Sequence, residues 1–110
     1  MMLEIMKLIG EATNDEFHRI NTPSLKFHSP HEAWAILLEE IEEAEEDLRM
    51  VKELMNSLKY EVFTDLEDKK TAKVLLSDIE SYAKLCSAEA VQVSAVAKKF
   101  FELVSSYETM

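Results

Sequence analysis

The sequence predicts an all-α fold of about four helices, arranged as an antiparallel bundle that oligomerisation completes. The 110 residues include one glycine and two prolines, which leaves few residues for the tight turns of a many-stranded sheet. Apolar residues make up 47% of the chain, enough for a core, and they recur at helical spacing over long stretches. This length fits one core, so we expect a single domain over residues 1–110.

The first predicted helix runs from about Met2 to Ile20. Its apolar residues recur roughly every three to four positions: Ile5, Leu8, Ile9, Ala12 and Phe17. Pro23 then interrupts the pattern, because the residue before a proline avoids helical geometry. Residues 21–29 are therefore predicted to form the longest loop.

The second predicted helix has the clearest start signal in the chain. Ser29 is a good N-cap, Pro30 suits the first helical position, and Glu32 completes a Ser-x-x-Glu capping box. An apolar stripe follows: Trp34, Leu37, Ile41, Ala44, Leu48, Val51, Met55 and Leu58. Trp34 is expected in the core, on the buried face of an amphipathic helix.

Two further helices are predicted after the polar segment 59–70. Thr64 and Glu67 form a second capping-box candidate, from which a third helix would run to about Leu85. Ser87-Ala88-Glu89 is either a bend or a continuation, and the last segment reaches about Tyr107. That segment is apolar on much of its circumference and should be buried, centrally or between subunits. We therefore expect a homodimer or a homotetramer.

The charge excludes some partners. The net charge is −10 and no basic run exceeds two residues, which disfavours a nucleic acid polymer and an anionic membrane. A nucleotide remains compatible, since a divalent metal can bridge acidic residues and phosphates. Cys86 is the only cysteine, which fits a cytoplasmic location, and we expect it to be a buried structural thiol.

The acidic residues of the second helix allow two interpretations. Glu40, Glu43 and Asp47 form a ladder beside the apolar stripe, and such carboxylates can hold Mg²⁺. The alternative is a solvated face in a chain with 22 acidic residues. Like charges three and four residues apart repel, and a counter-ion would relieve that repulsion.

Other polar residues extend this hypothesis. Glu89 is the lone acid among small and apolar residues of the last helix, so it needs a partner, a metal or exposure. Gln92 lies one turn further on the same face. His28 could contact a ligand at the start of the second helix, where free N–H groups attract anions. Lys99 either meets a phosphate or extends along the surface.

The chain resembles the MazG-like nucleoside triphosphate pyrophosphohydrolases. Their signature is Glu-Glu-x-x-Glu on one helix and Glu-x-x-Asp on a later one. Glu39-Glu40-Ile41-Glu42-Glu43 matches the first motif, and the Phe-His-Ser-Pro-His-Glu-Ala context before it is also similar to phage and bacterial members. The segment from Glu89 to Phe100 is similar to their second motif.

The resemblance implies an all-α enzyme that cleaves a nucleoside triphosphate between the α and β phosphates. It implies Mg²⁺, or Mn²⁺, held by Glu40, Glu43 and Glu89, with Glu39 nearby as a further catalytic carboxylate. Two departures stand out: Gln92 replaces the signature aspartate, and 45 residues separate Glu43 from Glu89. The alternative function is therefore a catalytically impaired MazG-like binding or assembly module.

Overall fold

The computed structural model describes residues 1–108, and all regular structure within them is helical. Helix α1 spans Met2–Ile20, a 3₁₀ helix spans Pro23–Leu25, α2 spans Pro30–Phe63 and α3 spans Lys69–Glu108. The described residues contain no strand, so the all-α prediction is confirmed. They contain three α-helices, so the prediction of about four is wrong.

The missing helix boundary lies at Ser87-Ala88-Glu89. These residues continue α3 without a break, because the stretch from Lys69 to Glu108 contains neither glycine nor proline. The start of α3 also differs from the prediction. Asp68 caps it by accepting the Thr71 N–H at 3.0 Å, and this bond lowers the pKa of the Asp68 carboxyl.

Thr64 ends α2 instead of starting the next helix. Its hydroxyl is placed to donate to the Tyr60 and Glu61 carbonyls, each at 3.1 Å. Asp65 and Leu66 then adopt left-handed geometry, with φ of 56° and 57°. The Leu66 N–H donates to the Glu61 carbonyl at 2.9 Å, so local hydrogen bonds close the turn without a glycine.

The predicted starts of α1 and α2 are confirmed. At α2 the Ser29 hydroxyl oxygen accepts the Glu32 N–H at 3.1 Å. The Glu32 carboxylate in turn accepts the His28 N–H at 3.2 Å, one residue earlier than in a standard capping box. This reciprocal pair fixes where the loop after α1 turns into α2.

The chain divides into two compact units, and the single-domain prediction stays a prediction. Unit 1 comprises Met1–Ile41 and the part of α3 from Glu89 onward. Its core consists of Phe27, Ala33 and Val96, packed against partly buried apolar neighbours: Ile20, Ile36, Leu37, Phe100 and Leu103. In unit 2, Glu42–Ala88, the apolar residues Leu58 and Ala72 are buried.

Two side chains differ from their predicted burial. Trp34 is 60% exposed, so its placement in the core is wrong for a single chain. Ala33, its neighbour in sequence, faces the core of unit 1 instead. Cys86 is partly buried, and its thiol lies 3.5 Å from the Ala44 carbonyl oxygen, a contact within unit 2.

None of the helices in the described chain is long and apolar enough to cross a membrane.

Candidate functional site

Three carboxylates predicted as metal ligands come together in the structure. One carboxylate oxygen from each of Glu40, Glu43 and Glu89 lies within 4.8 Å of the other two. Glu40 and Glu89 belong to unit 1. Glu43 follows Glu40 by one turn of the unbroken helix α2, so helix geometry alone places the two carboxylates on one face.

The spacing of these oxygens suits a hard divalent cation. Mg²⁺ binds oxygens at about 2.1 Å, which puts neighbouring ligands about 3 Å apart and opposite ligands about 4 Å apart. The observed limit of 4.8 Å is close to these separations. Three carboxylates also form the oxygen donor set that Mg²⁺ and Mn²⁺ prefer, so the residues present fit either ion.

The three carboxylates differ in exposure. Glu40 and Glu89 are half-buried, and the Oε2 atom of Glu89 is fully screened from solvent, whereas Glu43 is exposed. Two ionised carboxylates at this separation repel by roughly 1–3 kcal/mol, between the limits for water and for a protein surface. A divalent cation among them would remove that repulsion.

Glu39 lies outside the cluster. It is exposed, and adjacent residues on a helix point about 100° apart, so its carboxylate faces a different direction from that of Glu40. The structure therefore assembles the three predicted metal ligands and leaves the additional predicted catalytic carboxylate at the surface nearby.

A cavity of about 290 Å³ adjoins Glu40 within unit 1. It combines apolar walls with four polar side chains, as binding sites for small organic ligands commonly do. The lining residues are Arg19, Ile20, Leu25, Phe27, Ile36, Glu40, Gln92, Val96 and Lys99. The cavity therefore contains one of the three clustered carboxylates and two of the three predicted substrate-binding residues.

A polar network places Gln92 in this cavity wall. Glu16 on α1 accepts hydrogen bonds from the Arg19 guanidinium, with Nε at 2.8 Å from Oε1. Hydrogen bonds from Arg19 and also from Gln92 lower the pKa of the Glu16 carboxyl. The Gln92 side-chain amide therefore lies near the Glu16 carboxylate, within unit 1.

Sequence reasoning missed Glu16 and Arg19. Their i,i+3 spacing on a helix could have indicated an ion pair. The proximity of Glu16 to Gln92 links α1 to α3, and no local sequence pattern predicts a contact between residues so far apart in the chain.

The two remaining predicted substrate-binding residues have different surroundings. His28 is exposed, and it does not belong to the lining of this cavity. Lys99 does line it but is only 8% exposed, and its ammonium donates to the Ile20 carbonyl at 2.9 Å and to the Leu25 carbonyl. Contact of His28 and of Lys99 with a substrate stays a prediction.

Comparison of the chain with protein-family models, with curated proteins and with solved structures found no match. The carboxylate cluster, the adjoining cavity and the resemblance of the two short acidic motifs are therefore the basis for a functional assignment.

Proposed function

We propose that this protein is a Mg²⁺-dependent nucleoside triphosphate pyrophosphohydrolase that cleaves between the α and β phosphates. This proposal rests on the convergence of three carboxylates, Glu40 and Glu43 from α2 and Glu89 from α3. Glu89 lies 46 or more residues after the other two in the chain. Solvated acids need no such meeting of two helices. Mn²⁺ is the alternative ion, because it accepts the same oxygen ligands.

The adjoining cavity supports a nucleotide as the substrate. Its apolar walls can cover the nucleoside, and Glu40 in its lining would bring the phosphates to the carboxylate cluster. Bound Mg²⁺ would neutralise phosphate charge and lower the pKa of a water molecule there. Gln92 is proposed to contact the ligand through its side-chain amide, and His28 is proposed to contact it from the start of α2.

The carboxylates would divide the chemical work. Glu40, Glu43 and Glu89 hold the cation, and a carboxylate that is not needed as a ligand can accept the proton of the attacking water. Glu39 is the candidate for that base, because it is the remaining acid that the resemblance assigns to catalysis and it directly precedes Glu40 in the chain.

A screen of nucleoside triphosphates for Mg²⁺-dependent pyrophosphate release tests the proposal. We expect release from at least one triphosphate in the presence of Mg²⁺ and none after chelation. The monophosphate must appear in equal amount, since cleavage between the α and β phosphates yields both. Release of orthophosphate instead of pyrophosphate would contradict the proposed bond.

Gln92 favours a second candidate, a MazG-like module with impaired catalysis. A neutral amide stands where the resemblance expects an aspartate, and this amide helps to lower the pKa of Glu16. Such a module would bind a nucleotide with metal but turn it over slowly or not at all. Binding without pyrophosphate release in the same screen would select this candidate.

We further propose that the protein is a homodimer or homotetramer in the cytoplasm. Many large apolar side chains of unit 1 are exposed, among them Met6 at 57%, Trp34 at 60% and Phe101 at 71%. Apolar surface on this scale favours association. Sedimentation at tens of micromolar should give a mass of two or four chains, and a monomer at that concentration would refute this part.

A further inference from the structure

Lys99 is a buried cation with a defined set of partners. It lies on α3 in unit 1, and only 8% of the residue is exposed. Its ammonium donates to the carbonyls of Ile20 and Leu25 and lies 4.3 Å from the centre of the Phe27 ring. All three partners belong to the end of α1 or to the connection that follows it.

The two carbonyls explain why a lysine can be buried here. Ile20 ends α1 and Leu25 ends the 3₁₀ helix, where backbone carbonyls lack partners within the helix and carry partial negative charge. Burial lowers the pKa of Lys99, and the charge of Glu32 opposes that shift. Both ammonium hydrogen bonds cross more than 70 residues of sequence, so they tie the connection directly to α3.

The neighbouring Lys98 has a different environment. It is exposed, donates to the Asn14 side chain at 3.0 Å and lies over the Phe17 ring. These partners are on α1 itself, before the connection begins. Lys98 therefore provides a matched control with the same charge, one position earlier on the same helix.

The connection that Lys99 holds is also a wall of the cavity beside Glu40. Leu25 and Phe27 contribute to that wall, and Lys99 itself lines the same space. We infer that Lys99 is a positioning residue, which fixes residues 21–29 as the cavity wall and thereby sets the affinity of the cavity for its ligand. This inference rests on the proposed function for the identity of the ligand, and it replaces a direct contact between Lys99 and phosphate.

Amide hydrogen exchange on the full chain tests the structural half of the inference. Lys99→Met keeps most of the side-chain volume but removes the donors, whereas Lys99→Arg keeps the charge and can donate to two carbonyls. We expect Lys99→Met to speed exchange about tenfold at the hydrogen-bonded amides of Asn21, Leu25 and His28. Lys98→Met should leave these amides unchanged, and Lys99→Arg should restore protection. Equal exchange in wild type and Lys99→Met would overturn the inference.

Steady-state kinetics with the triphosphate hydrolysed by the wild type tests the positioning half. Lys99→Met should raise KM about tenfold with a smaller change in kcat, and Lys99→Arg should recover most of the loss. An unchanged KM together with faster exchange would mean that the wall does not govern affinity, which also overturns the inference. A fall in kcat at constant KM would mean that Lys99 acts in the chemical step and not on affinity, and this result would overturn the inference. If the wild type hydrolyses no triphosphate, the proposed function fails, and the exchange comparison alone decides whether Lys99 holds the connection.

Discussion

Two acidic regions of this protein have charged residues three or four positions apart on α2, but their surroundings differ. Glu40 and Glu43 lie three residues apart on α2 and meet Glu89 from α3. Glu46 and Glu53 lie on the same helix with Arg49 between them, and Arg49 forms an ion pair with each. The first region brings together carboxylates from distant segments, while the second is a row within one helix with its own cation.

The exposure of the side chains separates the candidate site from a solvated face. All three side chains of the Arg49 row are more than half exposed, so their ion pairs contribute little to stability. Glu40 and Glu89 are half-buried, and a buried carboxylate is costly unless its surroundings repay the lost hydration. Helical spacing is common to both regions, so burial and the third carboxylate are the informative features.

The largest expected effect is the loss of metal-dependent activity in Glu89→Gln. The amide keeps the side-chain shape but removes an anionic ligand, so pyrophosphate release should fall about 100-fold. Glu46→Gln is the control from the second region and should stay within about twofold of wild type. Equal losses in the two variants would mean that the regions do not differ in function.

Mg²⁺ should raise the melting temperature through its preference for the folded protein. At about 100 times its Kd, a ligand adds about 2.7 kcal/mol, which corresponds to a rise of about 10 °C for a chain of this size. Glu40→Gln and Glu43→Gln should each reduce the rise, whereas Glu53→Gln should keep it. Differential scanning fluorimetry across millimolar Mg²⁺ gives the measurement, and a flat wild-type profile would support the solvated-face interpretation.

A smaller gain is expected from Gln92→Asp. This change restores the signature carboxylate one turn after Glu89, and metal affinity should rise about tenfold with an increase in pyrophosphate release. The cost is the lost donor to Glu16 and an aspartate inside a helix, a few tenths of a kcal/mol for the latter. Gln92→Asn is the control, since it matches the length of aspartate without charge. If both variants leave calorimetrically measured Mg²⁺ binding unchanged, Gln92 does not face the cluster.

The smallest effect concerns the Arg49 row. A hydrogen bond from Arg49 lowers the pKa of Glu46 below its ordinary value of 4.5, so Arg49→Met should raise that pKa towards 4.5. A lowered carboxyl pKa stabilises the fold above the unfolded-state pKa, and this contribution disappears as the pH falls through the folded-state value. Carbon-13 NMR titration of Glu46 should detect the change, while urea unfolding at pH 7 should barely differ. An unaltered titration would show that the ion pair does not form in solution.

Local sequence signals predicted several elements of this fold correctly. The Ser29-Pro30-Glu32 start of α2 and the extent of α1 follow from capping chemistry and apolar spacing, which act within a few residues. The boundary at Thr64 failed because Asp68 caps α3 instead and the intervening residues form a left-handed turn without glycine. Competing capping residues a few positions apart cannot be ranked by pattern alone.

The candidate site could be predicted only in part. Glu40, Glu43 and Glu89 were identified from their motifs, and the structure brings all three together. Glu16 and Arg19 were missed, and the hydrogen bonds of the Lys99 ammonium to two backbone carbonyls were not predicted. The contacts of Glu16 with Gln92 and of Lys99 with the two carbonyls depend on which segment of the chain packs against α3, and helical periodicity carries no information on that.

Local sequence signals were enough to predict the helical class, the start of α2 and the spacing of the acidic residues on α2. These follow from backbone preferences and from the 3.6-residue period, which need no distant partner. Helix packing was needed to show that Ala33 and not Trp34 faces the core, that Gln92 lies near Glu16, and that Lys99 donates to the Ile20 and Leu25 carbonyls. Burial and long-range hydrogen bonds depend on how the helices pack against each other. The residues that come into contact there lie about 60 or more positions apart in the chain, so no local pattern predicts them.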